Sequence, residues 1–207
     1  MKSFLIFIGK ILLVLLLASY ALDITYTYVF SNSKIRNKIQ NILNDEPKEF
    51  DVVMLGSSRA NNHFVPQLFL EKDIKAYNYG ISGSSLQESA LMLQLMISSG
   101  YHFKNVILEV DLNINSEKYS EGIRALFMPY LRSNEIVTSY YTEIIPEFKL
   151  LYYLPFYRYI QYDAQIGFRE MFFSAINKPS ASVLNEGFYA LQGEGQNMKY
   201  DLTKYAP

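Results

Sequence analysis

The chain has no cysteine and no tryptophan, and only two of its 207 residues are histidine. The lack of cysteine excludes a thiolate nucleophile, a disulfide, an iron–sulfur cluster and a cysteine-ligated zinc ion. His63 and His102 cannot supply a three-histidine metal site, so we expect neither a metal nor a cofactor. A net charge of −1 without a basic block argues against nucleic acid as a partner.

Half of the residues are apolar, and the excess lies at the N-terminus. Residues 11–30 contain one charge, Asp23, and are long enough as a helix to cross about 30 Å of hydrocarbon. We therefore predict a membrane anchor or signal segment over residues 1–30. An uncleaved anchor is favoured because apolar and aromatic residues continue to Phe30. A cleaved signal peptide ending near Ser19-Tyr20-Ala21 and an ordinary core helix are the alternatives.

The remaining sequence divides by its hydrophobic pattern. Residues 31–50 are polar with isoleucines at helical spacing, which predicts an amphipathic stalk. Short apolar runs then alternate with helical patterns, a feature of parallel α/β sheets. The predicted strands are 51–56, 75–80 and 105–112. We expect a doubly wound α/β core over residues 51–118 that binds its ligand at the carboxyl ends of the strands.

The helix predicted between the second and third strands spans residues 84–100. It begins with a capping box, Ser85-x-x-Glu88, and ends at Gly100. Its expected core face is an apolar stripe made of Leu86, Ala90, Leu93 and Ile97.

Two further segments complete the predicted organisation. Residues 119–176 are crowded with aromatic side chains and are predicted to be mostly helical, with breaks at prolines. These aromatics are expected to pack in the core, and the alternatives are a cap over the ligand-binding edge or a surface that lies on lipid. Residues 177–207 are predicted to be loop-rich.

Residues able to carry chemistry follow each predicted strand. Gly56-Ser57-Ser58-Arg59 places a hydroxyl at the start of a helix, where N–H groups favour a developing anion. The glycine-bearing loop 78–84 offers a backbone N–H, and Asn113 offers a side-chain amide. A nucleophilic hydroxyl with two N–H donors is the inventory of an acyl-transfer site with an oxyanion hole.

These three blocks resemble those of the SGNH hydrolase family, also called GDSL-like. Gly56-Ser57-Ser58 resembles the Gly-Asp-Ser block, with Ser57 in place of Asp, and 78–83 resembles the second block. The resemblance implies a nucleophile at Ser58, an oxyanion glycine at Gly83 and an amide donor at Asn113. Asp111 and Ile114 depart from the third block, and the match covers about residues 51–113.

The resemblance also implies a fold and a cellular setting. Family sheets are flavodoxin-like with the strand order 2-1-3-4-5, so the three strands expected here form an incomplete sheet with the third strand exposed at its edge. The chain looks most like membrane-tethered members, such as the D-alanyl-transfer proteins of teichoic acid and the O-acetylation proteins of exopolysaccharides. This similarity implies a single-pass protein of the bacterial cytoplasmic membrane with its α/β domain outside. It also implies acylated cell-envelope carbohydrate as substrate and a membrane acyltransferase as a candidate partner.

The family's fourth block, Asp-x-x-His, is absent from this sequence. On a helix His63 would point away from the hydroxyl of Ser58, and His102 precedes the third strand, so neither is a credible base. We expect Arg59 to bind an anionic group of the substrate or else to pair with a carboxylate, and His63 to line the mouth of the substrate pocket or else to be an ordinary surface residue. The missing block predicts either a chain truncated at its C-terminus or a pseudoenzyme.

Three functional hypotheses follow. The first is an SGNH-like serine esterase or O-acyltransferase. The second is a non-catalytic, membrane-anchored envelope component that binds glycan or a partner membrane protein through residues 119–176. The third is an unrelated α/β domain such as an α/β-hydrolase, because Gly56-x-Ser58-x-Ala60 loosely matches the nucleophile elbow of that fold.

Overall fold

The computed structural model describes residues 1–46, 48–110 and 120–191. This part of the chain is mostly helical and contains one small sheet. The strands are β1 (Glu49–Leu55), β2 (Ala76–Asn78) and β3 (His102–Leu108). The helices are α1 (Lys2–Asn32), α2 (Lys38–Asn44), α3 (Ser58–His63), α4 (Gln67–Leu70), α5 (Leu86–Ser98), α6 (Glu121–Phe127), α7 (Glu135–Ile144), α8 (Phe148–Tyr153), α9 (Tyr157–Gln161), α10 (Asp163–Ile166) and α11 (Phe168–Ala175), with short 3-10 helices at Met128–Tyr130 and Asn185–Gly187.

The sheet is parallel, with the strand order β2-β1-β3. Val53 at the centre of β1 pairs with Tyr77 of β2 and with Val106 of β3. The alternation of strands and helices therefore gives a mixed α/β chain around a parallel sheet, as predicted from the sequence. The third strand begins at His102, earlier than predicted. It forms an edge of the sheet, where Val106 and Leu108 are exposed.

Packed side chains cover both faces of β1 and β2, whereas most residues of β3 are exposed. On one face, strand residues including Val53 and Leu55 join the main core with α1, α2, α5 and the aromatic region. On the other face, Val52 and Met54 pack against apolar side chains of the segment that contains α3 and α4. The carboxyl ends of β1 and β2 are therefore the part of these strands that is left for a functional site.

The structure confirms the predicted cap of α5 but not its predicted core face. The hydroxyl of Ser85 accepts the Glu88 N–H at 3.1 Å, and the Glu88 carboxylate accepts the Ser85 N–H at 2.9 Å. The buried face runs through Glu88, Leu91, Met92, Leu95 and Met96. Ile97, which belongs to the predicted stripe, is 61% exposed. The stripe was wrong because this helix is apolar on two faces, and either face satisfies the helical spacing.

Helix α1 is the one described helix that is long and apolar enough to cross a membrane. Its 31 residues extend for about 46 Å, whereas hydrocarbon is about 30 Å thick. None of its apolar stretch is buried in the protein, but Asp23, Tyr26 and Phe30 near its C-terminal end are buried. The last third of α1 is therefore part of the folded domain, and residue 30 does not separate an anchor from that domain.

The segment predicted as a stalk is also built into the domain. Helix α2 is capped by Asn37, whose side chain accepts the Gln40 N–H at 2.9 Å. Ile39 and Ile42 are fully buried in the main core, and Lys38 is only 2% exposed. A solvent-exposed stalk is not formed, because Ile39 and Ile42 pack into the main core and the Lys38 ammonium donates to Asn61 and Gly80 inside the protein.

The aromatic region packs mainly inward, and the segment after it folds back onto the sheet. Phe127, Tyr141 and Tyr159 are among its buried aromatic side chains. Within residues 177–191, the Tyr189 N–H donates to the Asn61 carbonyl at 3.1 Å. Gly187 lies so close to β2 that a Cβ there would be 2.1 Å from the Asn78 carbonyl oxygen. This segment therefore covers the outer side of β2.

Candidate functional site

The loops that follow β1 and β2 meet at the carboxyl edge of the sheet. The Ile81 N–H donates to the Gly56 carbonyl at 3.0 Å. Gly80 approaches α3 so closely that a Cβ there would lie 2.7 Å from Ala60 Cβ and 2.8 Å from the Asn61 nitrogen. The structure thus brings the loop after β1 and the loop after β2 into contact.

Ser58 is the first residue of α3 and is exposed. Ser57 is the N-cap of that helix, and its hydroxyl accepts the Arg59 N–H at 3.4 Å. This cap fixes where the helix begins and so places Ser58 in its first turn. Within the described part of the chain, the Ser58 hydroxyl makes no hydrogen bond. It is accessible to a ligand, but no described side chain accepts its proton.

Glu109 holds the turn that precedes Ser58. The N–H and the hydroxyl of Ser57 both donate to its Oε2, at 2.9 Å and 2.7 Å. Gly56, with φ at +141°, packs against the same side chain, and a Cβ there would lie 2.6 Å from Glu109 Cβ. No motif in the sequence predicts this role of Glu109. The pairing register of β1 and β3 explains the contact. Leu55 pairs with Leu108, and this places residue 109 beside residue 56.

Asn78 ties the second loop to the first. This fully buried side chain accepts the Gly80 N–H at 2.9 Å, and it donates to the carbonyls of Ala60 at 2.7 Å and Phe64 at 2.8 Å. Gly83 follows at an exposed position with φ at +87°, a conformation that favours glycine. A Cβ on Gly83 would be 3.1 Å from the Ser120 hydroxyl, so the start of the aromatic region lies beside this loop.

The other predicted site residues are Asn113, Arg59 and His63. Asn113 lies outside the described residues. Arg59 and His63 are exposed, and His63 Nδ1–H donates to the Arg59 carbonyl at 2.9 Å, one helical turn away. Neither side chain lines the cavity described next. His63 therefore lies on the surface of α3 rather than at the mouth of that cavity.

A cavity of about 230 Å³ opens beneath the second loop. Its described walls come from α2, α3, the loop after β2, α6 and the C-terminal segment. The lining residues are Asn37, Lys38, Asn61, Gly80, Ile81, Ser82, Leu126, Ser182 and Tyr189.

Lys38 is the one charged residue in that lining and was not selected from the sequence. Its ammonium donates to Asn61 Oδ1 at 2.8 Å and to the Gly80 carbonyl at 2.5 Å. No carboxylate of the described residues lies within ion-pair distance of it, and burial lowers the pKa of Lys38 to about 7. No sequence pattern predicts the burial of Lys38, because a lysine at the start of a polar helix is normally exposed.

Comparison of the chain with models of known protein families, with curated proteins and with solved structures finds no match. Among the described residues, no cluster of three or more histidine, aspartate or glutamate side chains could hold a metal ion. The arrangement itself therefore carries the functional argument. It consists of an exposed serine hydroxyl in the first turn of α3, a glycine loop packed against that helix, and a neighbouring cavity with a buried cation.

Proposed function

We propose that the chain is an SGNH-like serine esterase or O-acyltransferase module that acts on acylated cell-envelope carbohydrate. The observation that carries the proposal is the contact between the two loops, which joins the turn before Ser58 to the loop that ends at Gly83. The strand order β2-β1-β3 supports it, since it matches the first three strands of the flavodoxin-like order expected for this family.

In this proposal the Ser58 hydroxyl adds to an ester carbonyl, and the resulting oxyanion is held by N–H donors. The donors are the backbone N–H groups of Ser58 and Gly83, together with the amide of Asn113. The carbon–oxygen bond to the sugar breaks, and the departing sugar oxygen takes the proton lost by the serine. Water or an acceptor hydroxyl then removes the acyl group from Ser58. Glu109 is a positioning residue in this scheme, because it fixes Ser57 rather than touching the reacting atoms.

The proposed setting is a single-pass membrane protein with α1 as anchor and the α/β domain outside the cytoplasm of a bacterium. The length and apolar surface of α1 support the anchor. An acylated envelope polymer would lie on the outer side of that membrane, and a membrane acyltransferase remains the proposed partner.

A fluorophosphonate probe tests the catalytic proposal on the full chain in detergent. We expect covalent labelling at Ser58, located by mass spectrometry, and loss of labelling in Ser58→Ala. Ser57→Ala is the matched control, because it removes the adjacent hydroxyl and leaves the nucleophile in place. Its labelling should persist at a lower rate, since the cap of α3 is weakened. A wild-type chain that stays unlabelled, or labelling that survives Ser58→Ala, would contradict the role of Ser58.

One observation favours the non-catalytic alternative, in which the aromatic region binds glycan. Phe168 and Phe172 on α11 are 68% and 49% exposed, and their rings stack with centroids 6.4 Å apart. Such a pair offers a flat apolar surface to a sugar ring. In a co-sedimentation assay with purified cell-envelope polysaccharide, the double variant Phe168→Ala/Phe172→Ala would then lose binding, while Ser58→Ala would retain it.

A further inference from the structure

Within the described part of the chain, the buried ammonium of Lys38 has no compensating negative charge. Lysine is rarely buried unless it is paired, because removing an ammonium from water is costly. Both acceptors of its hydrogen bonds, Asn61 Oδ1 and the Gly80 carbonyl, are neutral, and they use two of the three ammonium protons. The described residues supply neither an acceptor for the third proton nor a negative charge for the ammonium.

The cavity next to this ammonium is small, and much of its wall is apolar. Ile81, Leu126 and Tyr189 line it together with a few neutral polar side chains. Its volume of about 230 Å³ is below the range of pockets that hold drug-sized ligands, about 300–1,000 Å³. A single cation suits a monoanion, whereas a phosphate dianion would call for further cations or a run of backbone N–H groups.

We propose that this cavity is a binding site for a short-chain monocarboxylate, with the carboxylate on Lys38 and the hydrocarbon chain against Ile81 and Leu126. The carboxylate supplies the missing negative charge and accepts a hydrogen bond from the third N–H of the ammonium. The site goes beyond the proposed acyl transfer and does not depend on it, because Ser58 is not part of its lining.

Butyrate is the probe, and butyramide is its neutral counterpart of nearly equal shape. Binding is measured by ligand-observed NMR with the full chain in detergent micelles at pH 6, where Lys38 is protonated. We expect butyrate to bind, and we expect the affinity of butyramide to be lower by a factor of at least about ten. The reason is that a hydrogen bond to a charged group contributes about 1.5–3 kcal/mol. Micelles without protein measure any partition of the probes into detergent.

Lys38→Met removes the charge and keeps an unbranched side chain that is one atom shorter, and we expect it to weaken butyrate binding about tenfold or more. Lys34→Met is the matched control, because Lys34 is half-exposed and pairs with Asp45 at 3.3 Å. It should leave butyrate binding unchanged. If Lys38→Met fails to fold, Leu126→Phe fills the cavity from the opposite wall without touching the cation and should also block butyrate.

The proposal is overturned if butyrate does not bind, if butyramide binds equally well, or if folded Lys38→Met retains full binding. Inorganic phosphate that displaces butyrate at lower concentration would also overturn the assignment to a monocarboxylate. Ser58→Ala should bind butyrate as the wild type does. Loss of the fluorophosphonate label at Ser58 and loss of butyrate binding are thus separate results.

Discussion

At the scale of single residues, the two side chains that organise the site are Glu109 and Lys38. Glu109 binds the N–H and hydroxyl of Ser57, and Lys38 binds Asn61 and the Gly80 carbonyl. Each joins segments that are distant in the sequence and close at the carboxyl edge of the sheet. The negative group fixes the turn after β1, and the positive group fixes the loop after β2. Burial lowers the pKa of Lys38 to about 7, so the charge of this side chain changes near neutral pH.

Lys38 should make the free energy of unfolding rise with pH. Its pKa is about 7 in the folded protein and near 10.5 in the unfolded chain, so between these values the unfolded chain holds one more proton. Stability increases with pH wherever the unfolded state binds more protons, with a limiting slope of about 1.4 kcal/mol per pH unit for one proton. Chemical unfolding of the wild type between pH 7 and pH 9 should show this rise, and Lys38→Met should lack it.

Other titrating groups limit the pH range over which the rise in stability due to Lys38 can be measured. Burial raises the pKa of Tyr79 and Tyr141, which are stabilising in their neutral form and lose that contribution above pH 10. The helices packed against α2 carry two carboxylates. Glu88 of α5 accepts a hydrogen bond from the Ser85 N–H, and Asp23 of α1 is paired with arginine. Neither forms an ion pair with Lys38. If the free energy of unfolding changes with pH by the same slope in the wild type and in Lys38→Met, Lys38 is not the source of the rise.

At the scale of elements, a buried ion cluster fixes α1 to the aromatic region. Asp23 Oδ1 accepts from Arg158 at 2.8 Å and from Arg132 at 3.1 Å, and Oδ2 accepts the Phe156 N–H at 2.6 Å. Arg158 is 1% exposed and also donates to the Thr27 hydroxyl at 2.7 Å. A single carboxylate therefore connects α1 with the start of α9 and with the segment after α6.

Asp23→Asn should destabilise the protein by about 3 kcal/mol or more, because it leaves buried Arg158 without a counter-charge. The asparagine keeps the size and one acceptor, so the loss reports mainly the charge. Asp45→Asn is the control, since Asp45 pairs at the surface with Lys34 and Lys48, and its removal should cost less than about 1 kcal/mol. Both losses are measured by chemical unfolding of the full chain in detergent. Similar values for the two variants would show that the cluster does not hold α1.

The sequence predicts those elements whose cause is local. The apolar runs at 51–56 and 105–112 indicate strands, of which the first is buried and the second lies at the exposed edge of the sheet, and Ser85-x-x-Glu88 marks the start of α5. The burial of α2, the core face of α5 and the roles of Lys38 and Glu109 depend on which segments meet in three dimensions. A lysine becomes buried only when a carbonyl such as that of Gly80 comes within reach, and nothing in residues 31–50 encodes that distance.

At the scale of the whole molecule, the domain has an exposed apolar tip beside α1. Leu150, Tyr153 and Leu154 at the end of α8 are 51%, 72% and 46% exposed. The Arg132 guanidinium donates to the Leu154 carbonyl at 3.1 Å and binds Asp23, so the tip lies at the level of α1 where its apolar stretch ends. Aromatic and aliphatic side chains at that level suit the membrane interface. We expect this tip to touch lipid if α1 spans the bilayer.

Because the chain contains no tryptophan, single introduced tryptophans report depth without interference. Tyr153→Trp in vesicles of brominated phosphatidylcholine should lose fluorescence relative to unbrominated vesicles, since the bromine atoms quench at contact. Leu13→Trp, within the apolar stretch of α1, should be quenched more strongly. Leu68→Trp is the matched surface control: Leu68 is 57% exposed on α4, which covers the sheet face opposite α1, and it should not be quenched.

The three tryptophan positions distinguish two negative results, one in which α1 is not inserted and one in which the tip of α8 does not contact lipid. An unquenched Leu13→Trp would show that α1 is not inserted, and the membrane proposal as a whole would then be wrong. Quenching at position 13 with none at position 153 would leave the anchor standing, and it would show that the tip of α8 is covered by something other than lipid, such as a partner protein. Quenching at 13 and 153 but not at 68 requires the domain to rest on the bilayer through α8. The two-arginine contact to Asp23 would then lie at the membrane surface and fix the orientation of the domain relative to its anchor.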